Sequence, residues 1–518
     1  MANVLLLNTN VTRCGRTGSA ATPAPAGLIS LAGVLRRRGH DVRIAQLTSH
    51  VVAQDENDVP LVCDELTAAL RGFEPDVIGI STRNVSAGRV PANPFRLVQY
   101  YSAFYDGRVV RACRRVSDAP VVMGGTGFSI EPGLCWAVAR PDFGLIGEAE
   151  ETLPALVEAI AAGQSPEGIQ GLVRSRETIA AACRTPGRVA DLALVGPGAC
   201  DVVQGLREHY YVAGGLLPIQ TKRGCAMECL YCPAPFLEGS QYRFRPLEHV
   251  VEELRAYQQV WGVRHFFFAD PTFNHPVDHA MALCEAILSA GLDIEWYGEV
   301  TPACLPDRLV ALMARAGCIG VTLGLDSCSE ATLASYRKPF GVTEVREAIA
   351  ALRRHGIPFD ASLIVGGPGE TLETFAETMA FCDEHLRDAV VRFFDGMILS
   401  PNTPAHQIAA AEGVIVHATP YEELVLANDF RGVKRYEYFF PHAAEPQRAL
   451  RERVARACCG ERWILSGKDY APDPDTGELA LGSDIVVESG ARPWWRGLHR
   501  REEGKAAAAG RSHDPTEC

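Results

Sequence analysis

No stretch of the chain reaches the ~18–20 consecutive apolar residues of a membrane-spanning helix. The opening Met-Ala-Asn-Val-Leu-Leu-Leu lacks the basic region and cleavage site of a secretory signal, so the expectation is a cytoplasmic protein with no membrane contact. Basic charge is in deficit: 50 Lys and Arg face 63 Asp and Glu, a net charge of −13. That balance argues against nucleic-acid partners, which a basic surface attracts through phosphate. No internal repeat of fixed period is found. What is present, over 518 residues, is 47% apolar and 22% charged, a globular composition at a length that suits roughly two to four domains.

Cysteine, by contrast, is plentiful. The 17 residues are scattered, without the framework of a small disulfide-stapled secreted fold. Cys63, Cys113, Cys284, Cys318 and Cys382 lie inside apolar stretches and read as small buried hydrophobes. A group of three does not fit that reading.

Residues 1–165 alternate short apolar runs with helical patterns. Val4 to Asn8, Asp41 to Ala45, Asp76 to Ser81, Pro120 to Met123 and Phe143 to Ile146 read as strands, and Ala26 to Arg38 and Leu61 to Phe73 as helices. This rhythm predicts an α/β, doubly wound, Rossmann-like domain, whose ligands bind beyond the carboxyl ends of the strands. Those ends carry Asn8 and Thr9, then Ser81, Arg83 and Asn84, then Gly124, Gly125, Gly127 and Ser129, then Gly147 and Glu148. They suit a large polar ligand lying across the edge, or are ordinary turn chemistry.

Residues 166–210 lose the rhythm and read as a linker with one small hairpin. From 211 to 430 a second alternation has strands at 217–224, 265–270, 293–300, 319–326, 359–367 and 391–399, with helices such as Leu247 to Tyr257 and His279 to Leu288 between them. Six such units predict a partial or full β/α barrel of TIM type, with its site at the strand carboxyl ends. Residues 431–505 read as a small, mostly helical region with a helix near 446–459, and 506–518 as a disordered tail.

The first barrel strand leads into Cys225-Ala226-Met227-Glu228-Cys229-Leu230-Tyr231-Cys232. Three thiolates in one tight loop repel unless a metal neutralises them, and soft sulfur selects zinc or iron–sulfur. A structural zinc site wants a fourth ligand, and none lies nearby in sequence: His249, seventeen residues after Cys232, sits in a helical run. Three cysteines on a four-iron cluster leave one iron open.

A CxxxCxxC loop after the first strand of a β/α barrel, with Tyr231 before the third cysteine, resembles the radical S-adenosylmethionine superfamily. The resemblance implies a [4Fe-4S] cluster on Cys225, Cys229 and Cys232 whose open iron is chelated by S-adenosylmethionine, with reduction giving a 5′-deoxyadenosyl radical. It also implies cofactor contacts from Tyr231, from Asp326 and Ser327 at the fourth strand's end, from Gly366 and Gly367 of the Gly-Gly-Pro-Gly-Glu turn, and from the backbone of Met397 to Pro404. A doubly wound domain placed ahead of the barrel, with its Gly124–Ser129 and Ile146–Glu151 segments, resembles the cobalamin-dependent branch, over roughly residues 1–430. The Asp-x-His-x-x-Gly motif is missing, so no histidine is an obvious lower ligand for cobalt. Arg83 could lie under the corrin, or pair with a corrin amide, a carboxylate or solvent.

The resemblance implies an enzyme that moves a methyl group from S-adenosylmethionine through cobalamin to an inert carbon or phosphorus centre of a small molecule, such as an antibiotic precursor. It implies an external electron donor such as flavodoxin or ferredoxin, and leaves the oligomeric state open. Asp270, Tyr297 and Glu299, with Asn274, lie near barrel strand ends and are the candidate substrate contacts; each also has a structural reading. A Glu299 that reached the open iron would make the transfer polar rather than radical. Oxidative cyclisation or ring rearrangement is the rival reaction, and a non-catalytic corrinoid or metal sensor the rival from another class. Tyr436 to Phe440 could close the cavity or pack in the core.

Overall fold

In the computed structural model the described residues are 1–9, 12–14, 19–21, 25–47, 59–82, 102–196, 217–387, 389–412, 437–438, 463–466, 470–472 and 479–481. Two sheets organise them. The first contains β1 (Asn3–Asn8), β2 (Asp41–Gln46), β3 (Val77–Ser81), β4 (Val121–Gly124), β5 (Phe143–Leu145) and β6 (Leu172–Val173), in the order β2-β1-β3-β4-β5-β6. Every pair is parallel except β5 with β6. Both faces are covered. Along β1, Leu5 and Leu7 enter one apolar cluster with Ile78, Ile80 and Met123, while Val4 and Leu6 enter another with Val42, Val77 and Val122. Side chains alternate across a strand, so a sheet buried on both faces needs the continuous apolar runs seen here. The strand order reverses between β1 and β3, which opens a crevice at their carboxyl ends beside Asn8 and Ser81.

The expected linker is more ordered than its sequence suggested. Residues 166–196 hold β6, which pairs antiparallel to β5 as an edge strand, and the short helix Ile179–Arg184. In place of a hairpin, the chain returns to the sheet it has just left.

The second sheet contains β7 (Leu217–Ile219), β8 (His265–Phe268), β9 (Glu295–Val300), β10 (Cys318–Asp326), β11 (Phe359–Val365), β12 (Val390–Asp395) and β13 (Trp463–Ser466). Its strands are consecutive and all parallel, with β7 and β13 at the edges, giving a partial β/α barrel. Six of these strands match the expected units; the seventh was not anticipated. Its helices follow the apolar period: in Leu247–Trp261 the buried Val250, Val251, Leu254, Tyr257 and Trp261 form one stripe, ended by Gly262 at φ +63°. Alternation separates the two faces of the strands. Trp296, Val300, Val321, Leu323, Ala361, Leu363, Val391 and Phe393 enter the core beneath the helices. Their neighbours Tyr297, Glu299, Thr322, Asp360, Ser362 and Arg392 take the opposite face, inside the barrel.

Beyond residue 412 the described residues form strands only: Glu437–Tyr438 against Met397–Ile398, β13, and Tyr470–Pro472 against Leu479–Leu481. The helix expected near 446–459 lies outside the described residues, as do Tyr436, Phe439 and Phe440. No helix among the described residues is long and apolar enough to cross a membrane.

Candidate active site

The first barrel strand does not run unbroken through 217–224. After Ile219 the backbone turns, and Lys222–Arg223 form a two-residue ribbon with Arg243–Phe244. A buried polar knot fixes the turn. Asp270 accepts the Thr221 N–H at 2.7 Å and the Lys222 N–H at 3.2 Å, and its other oxygen takes the Lys222 Nζ at 3.0 Å and the Thr221 hydroxyl. Both side chains of this ion pair are fully buried, and Lys222 also donates to the Phe273 carbonyl at 3.1 Å. Asp270, expected as a substrate contact, is instead the anchor of the cysteine loop. Asn274 is a second anchor: its amide donates to the carbonyls of Thr301, Ala303 and Cys304 and its oxygen accepts the Thr301 N–H.

The loop that follows begins at Gly224, with φ +93°. A Cβ there would lie 2.1 Å from the Gln241 carbonyl oxygen, so only glycine fits. Cys225 donates its N–H to the Gly239 carbonyl, Leu230 to that of Tyr336, and Ala405 donates back to Leu230, each at 3.0 Å. Leu230 and Tyr231 pack with Tyr336, Ile364, Met397 and Leu399, which brings the loop against the ends of β11 and β12. Cys225 is buried, and Cys229 and Cys232 are partly exposed.

Burial pushes the Cys232 thiol up to about 11 and raises that of Cys229; the other thiols of the loop add to both, and the Lys338 ammonium opposes both. Such a trio ionises when a soft cation is shared among the sulfurs. Among the described residues no group of His, Cys, Asp or Glu is arranged to hold a single metal ion. A four-iron cluster takes each thiolate on a different iron, so three soft sulfur donors on one short loop suffice for it. The donor set therefore fits the cluster.

Beside the loop, Asp326 has a left-handed backbone, φ +63°. Its carboxylate accepts the Tyr231 hydroxyl and pairs with Lys338 at 2.6 Å. Burial, then Asp326, raises the Tyr231 phenol. Burial opposes the Lys338 charge, but Asp326 and the thiols outweigh it and hold the ammonium above its ordinary range. Ser327 faces the other way, toward Thr378 at 3.0 Å. In the glycine turn Gly366 has φ +89° and donates to the Glu370 carboxyl, while Gly367 donates to the Tyr336 hydroxyl at 3.1 Å. Tyr231, Asp326, Gly366 and Gly367 thus share one end of the barrel with the cysteines, where they could hold S-adenosylmethionine.

Deeper in, Glu299, Thr322 and Asp360 occupy one register row of β9, β10 and β11. Tyr297 bonds to the Thr322 hydroxyl, which donates to Asp360, and Asp360 also binds Arg392. Burial raises the Tyr297 phenol. Glu299 remains exposed to the barrel interior.

At the first sheet, Asn8 donates to Gln46 at 2.8 Å. Gly125, at φ +92°, packs where a Cβ would meet the Thr82 oxygen at 2.6 Å, and Gly127 donates to that oxygen at 2.8 Å. Ser129 accepts the Gly147 N–H at 2.9 Å. With Thr9, Ser81 and Gly124 these residues form a small-sided rim at the crevice, in which Asn8, Thr9 and Ser129 are buried and bonded within the protein. Arg83 and Asn84 lie outside the described residues.

Glu148 is committed elsewhere. Arg243 grips both its oxygens at 2.8 and 2.6 Å, and the Val189 N–H adds a third bond at 2.8 Å. Glu150 takes Arg223 through both oxygens and accepts from Ser30 at 2.9 Å. Burial alone would raise the Glu150 carboxyl, but the Arg223 guanidinium holds it below its ordinary range. This ion-pair lattice joins the end of β5 to the residues just before Cys225. The sequence analysis did not single out Arg223, Arg243 or Glu150, nor Lys338 and Arg392.

Two family models match the chain: the B12 binding domain over residues 17–157 and the radical SAM superfamily over 219–382. An uncharacterized methyltransferase of Pyrococcus horikoshii is 26% identical over 382 residues, covering 70% of this chain and 73% of the relative. The tryptophan 2-C-methyltransferase of Streptomyces laurentii is 25% identical, over 68% of this chain and 67% of its own. A solved radical S-adenosylmethionine methyltransferase of Kitasatospora setae, with tryptophan and a cofactor analogue bound, superposes with a TM-score of 0.73 at 22% identity, over 98% of this chain and 100% of that one. The cofactors that go with these two modules are a [4Fe-4S] cluster, S-adenosylmethionine and cobalamin. With both modules in this order on the two sheets, the chain belongs to the cobalamin-dependent (B12-binding) radical S-adenosylmethionine enzymes, in their methyltransferase branch.

Proposed function

We propose that this enzyme methylates an unactivated carbon or phosphorus centre of a small-molecule natural-product precursor, with S-adenosylmethionine as methyl source. One observation carries the reading: the carboxyl end of β5 is bolted by Glu148 and Glu150 to Arg243 and Arg223, two residues before Cys225. The edge suited to a corrin and the loop suited to a cluster are thereby held against one another, as a reaction that uses both requires. When bound, the three cofactors supply one-electron reduction, a methyl source and a methyl carrier.

The chain's own residues would do the rest. Cys225, Cys229 and Cys232 hold the cluster; Tyr231, Asp326, Gly366 and Gly367 orient S-adenosylmethionine; Asn8, Thr9, Ser81, Gly124, Gly125, Gly127, Ser129 and Gly147 line the corrin edge. Tyr297 and Glu299 face the acceptor inside the barrel. A small organic acceptor is supported by the tryptophan in the related solved structure.

The test is anaerobic reconstitution with iron, sulfide and hydroxocobalamin, then turnover with trideuteromethyl-labelled S-adenosylmethionine, a flavodoxin or ferredoxin donor, and a panel of acceptors. The expected result is label in one product. Cleavage of S-adenosylmethionine with an unlabelled, cyclised or rearranged product would overturn methyl transfer, and no turnover with any acceptor would return the chain to a sensor.

A further inference from the structure

Three ionic groups face the barrel interior from β9, β10 and β11, and two of them are already matched. Asp326 is bound by Tyr231 and Lys338, and Asp360 by Thr322 and Arg392. Glu299 is not. Among the described residues its carboxylate has no hydrogen bond or ion pair; only its backbone carbonyl is used, by the Phe273 N–H at 2.7 Å. It is exposed to the interior although its strand neighbours Gly298 and Val300 are buried, so it faces open space and not packed protein.

Its position matters as much as its freedom. Glu299 shares a row with Thr322 and Asp360, below the rim where Asp326 meets the cysteine loop. Across Glu299, Asp360, Asp326, Arg392 and Lys338 the charges sum to −1, with the excess on the one carboxylate that has no mate. Desolvation within the enclosing barrel raises its carboxyl; Arg392 opposes the rise, and Asp360 and Asp326 add to it. A cation docked there relieves that repulsion, whereas an anionic acceptor would add to it.

We infer that Glu299 is the receptor for a cationic group of the methyl acceptor, an ammonium or amidinium, and so selects an amine-bearing substrate within the barrel. This rests on the reading of the barrel interior as the acceptor site. Tyr297 and the Asp360–Arg392 pair form the floor beside the docked group, and a charge-assisted hydrogen bond to Glu299 fixes its orientation.

The test uses the reconstituted full-length protein with S-adenosylmethionine bound and reads binding, not turnover. The probes are 2-phenylethylamine, its N-acetyl derivative and 3-phenylpropionate, matched in ring and length but cationic, neutral and anionic, measured by calorimetry. Wild type should bind the amine at least roughly tenfold more tightly than either counterpart, the factor that about 1.4 kcal/mol gives. Glu299→Gln should lose the preference while keeping S-adenosylmethionine affinity, and Glu299→Asp should retain it in weakened form. Equal binding of the three probes, no binding of the amine, or a preference that survives Glu299→Gln overturns the inference. A chain that prefers the amine yet transfers no labelled methyl fails the proposed reaction and keeps this site; a methyltransferase without the preference does the reverse.

Discussion

Replacing Arg223 by Met should destabilise the enzyme far more than replacing Glu150 by Gln, and the two changes should not add. At 3.0 Å and an effective dielectric near 20, the attraction between Arg223 Nη1 and Glu150 Oε2 is about 5 kcal/mol, much of it offset by desolvation of side chains that are 8% and 4% exposed. What an experiment reads is the cost of a stranded partner. In Arg223→Met, Glu150 keeps Ser30, at 2.9 Å, and its own backbone N–H but no cation, while Glu148 retains Arg243. That leaves one buried carboxylate without a cation, a loss of about 3–5 kcal/mol. In Glu150→Gln, Arg223 keeps Glu148 at 3.3 Å and Gln220 at 2.9 Å, so the loss is about 1–3 kcal/mol. The double variant should fall short of the sum by about 1–3 kcal/mol.

The assay is anaerobic urea unfolding of full-length protein, with iron and corrin content measured on the same samples. Because the pair lies beside Cys225, Arg223→Met should also lower iron content. Glu150 has a depressed folded pKa, so its contribution is complete above the ordinary value of 4.5 and is lost as pH falls through the lower folded value. Wild type should therefore lose its advantage over Glu150→Gln in acid. Additive losses, within about 0.5 kcal/mol, would refute the coupling.

Changing Cys225, Cys229 and Cys232 together to Ala should abolish iron–sulfur absorbance and leave corrin uptake intact; retained iron sinks that assignment. Gly224→Ala should give the same loss of iron, because its Cβ collides with the Gln241 carbonyl. Asn274→Ala strands three carbonyls and one N–H and should cost about 2–4 kcal/mol in urea unfolding; a loss below about 1 kcal/mol contradicts its role as an anchor. Burial pushes the Glu370 carboxyl up to about 8 from 4.5, against the Gly366 and Gly367 N–H groups, which lower it. Its stabilisation is complete below 4.5 and is lost as pH rises through about 8, so the Tm of wild type should fall relative to Glu370→Gln over that window; parallel profiles would contradict this.

Local pattern revealed five strands of the first sheet, six of the second and the cysteine loop, because each is a short run whose residue types decide it. It did not reveal partners distant in the chain: Arg223 and Glu150 are 73 positions apart, and nothing near either residue announces the other. Asp270 was misjudged for a related reason. A carboxylate at a strand end looks the same in sequence whether it faces the interior or turns back on Thr221 and Lys222. Thr322, Asp360 and Arg392 did leave a signal, as polar residues at alternate positions of apolar strands, which marks a barrel whose interior is polar. β13 is four residues long and stands 68 positions after Asp395, too brief and too remote for periodicity to assign it to this sheet.

That late strand sets an order of assembly. During synthesis at ~5–20 residues per second, β12 waits roughly 3–14 s for the segment that will cover it. Through that interval Val390 to Asp395 presents a bare backbone edge with Phe393 and Phe394 upon it, a template for a neighbouring nascent chain. Expression fragments that stop before Trp463 keep this edge permanently and should precipitate, whereas those extending past Ser466 should not.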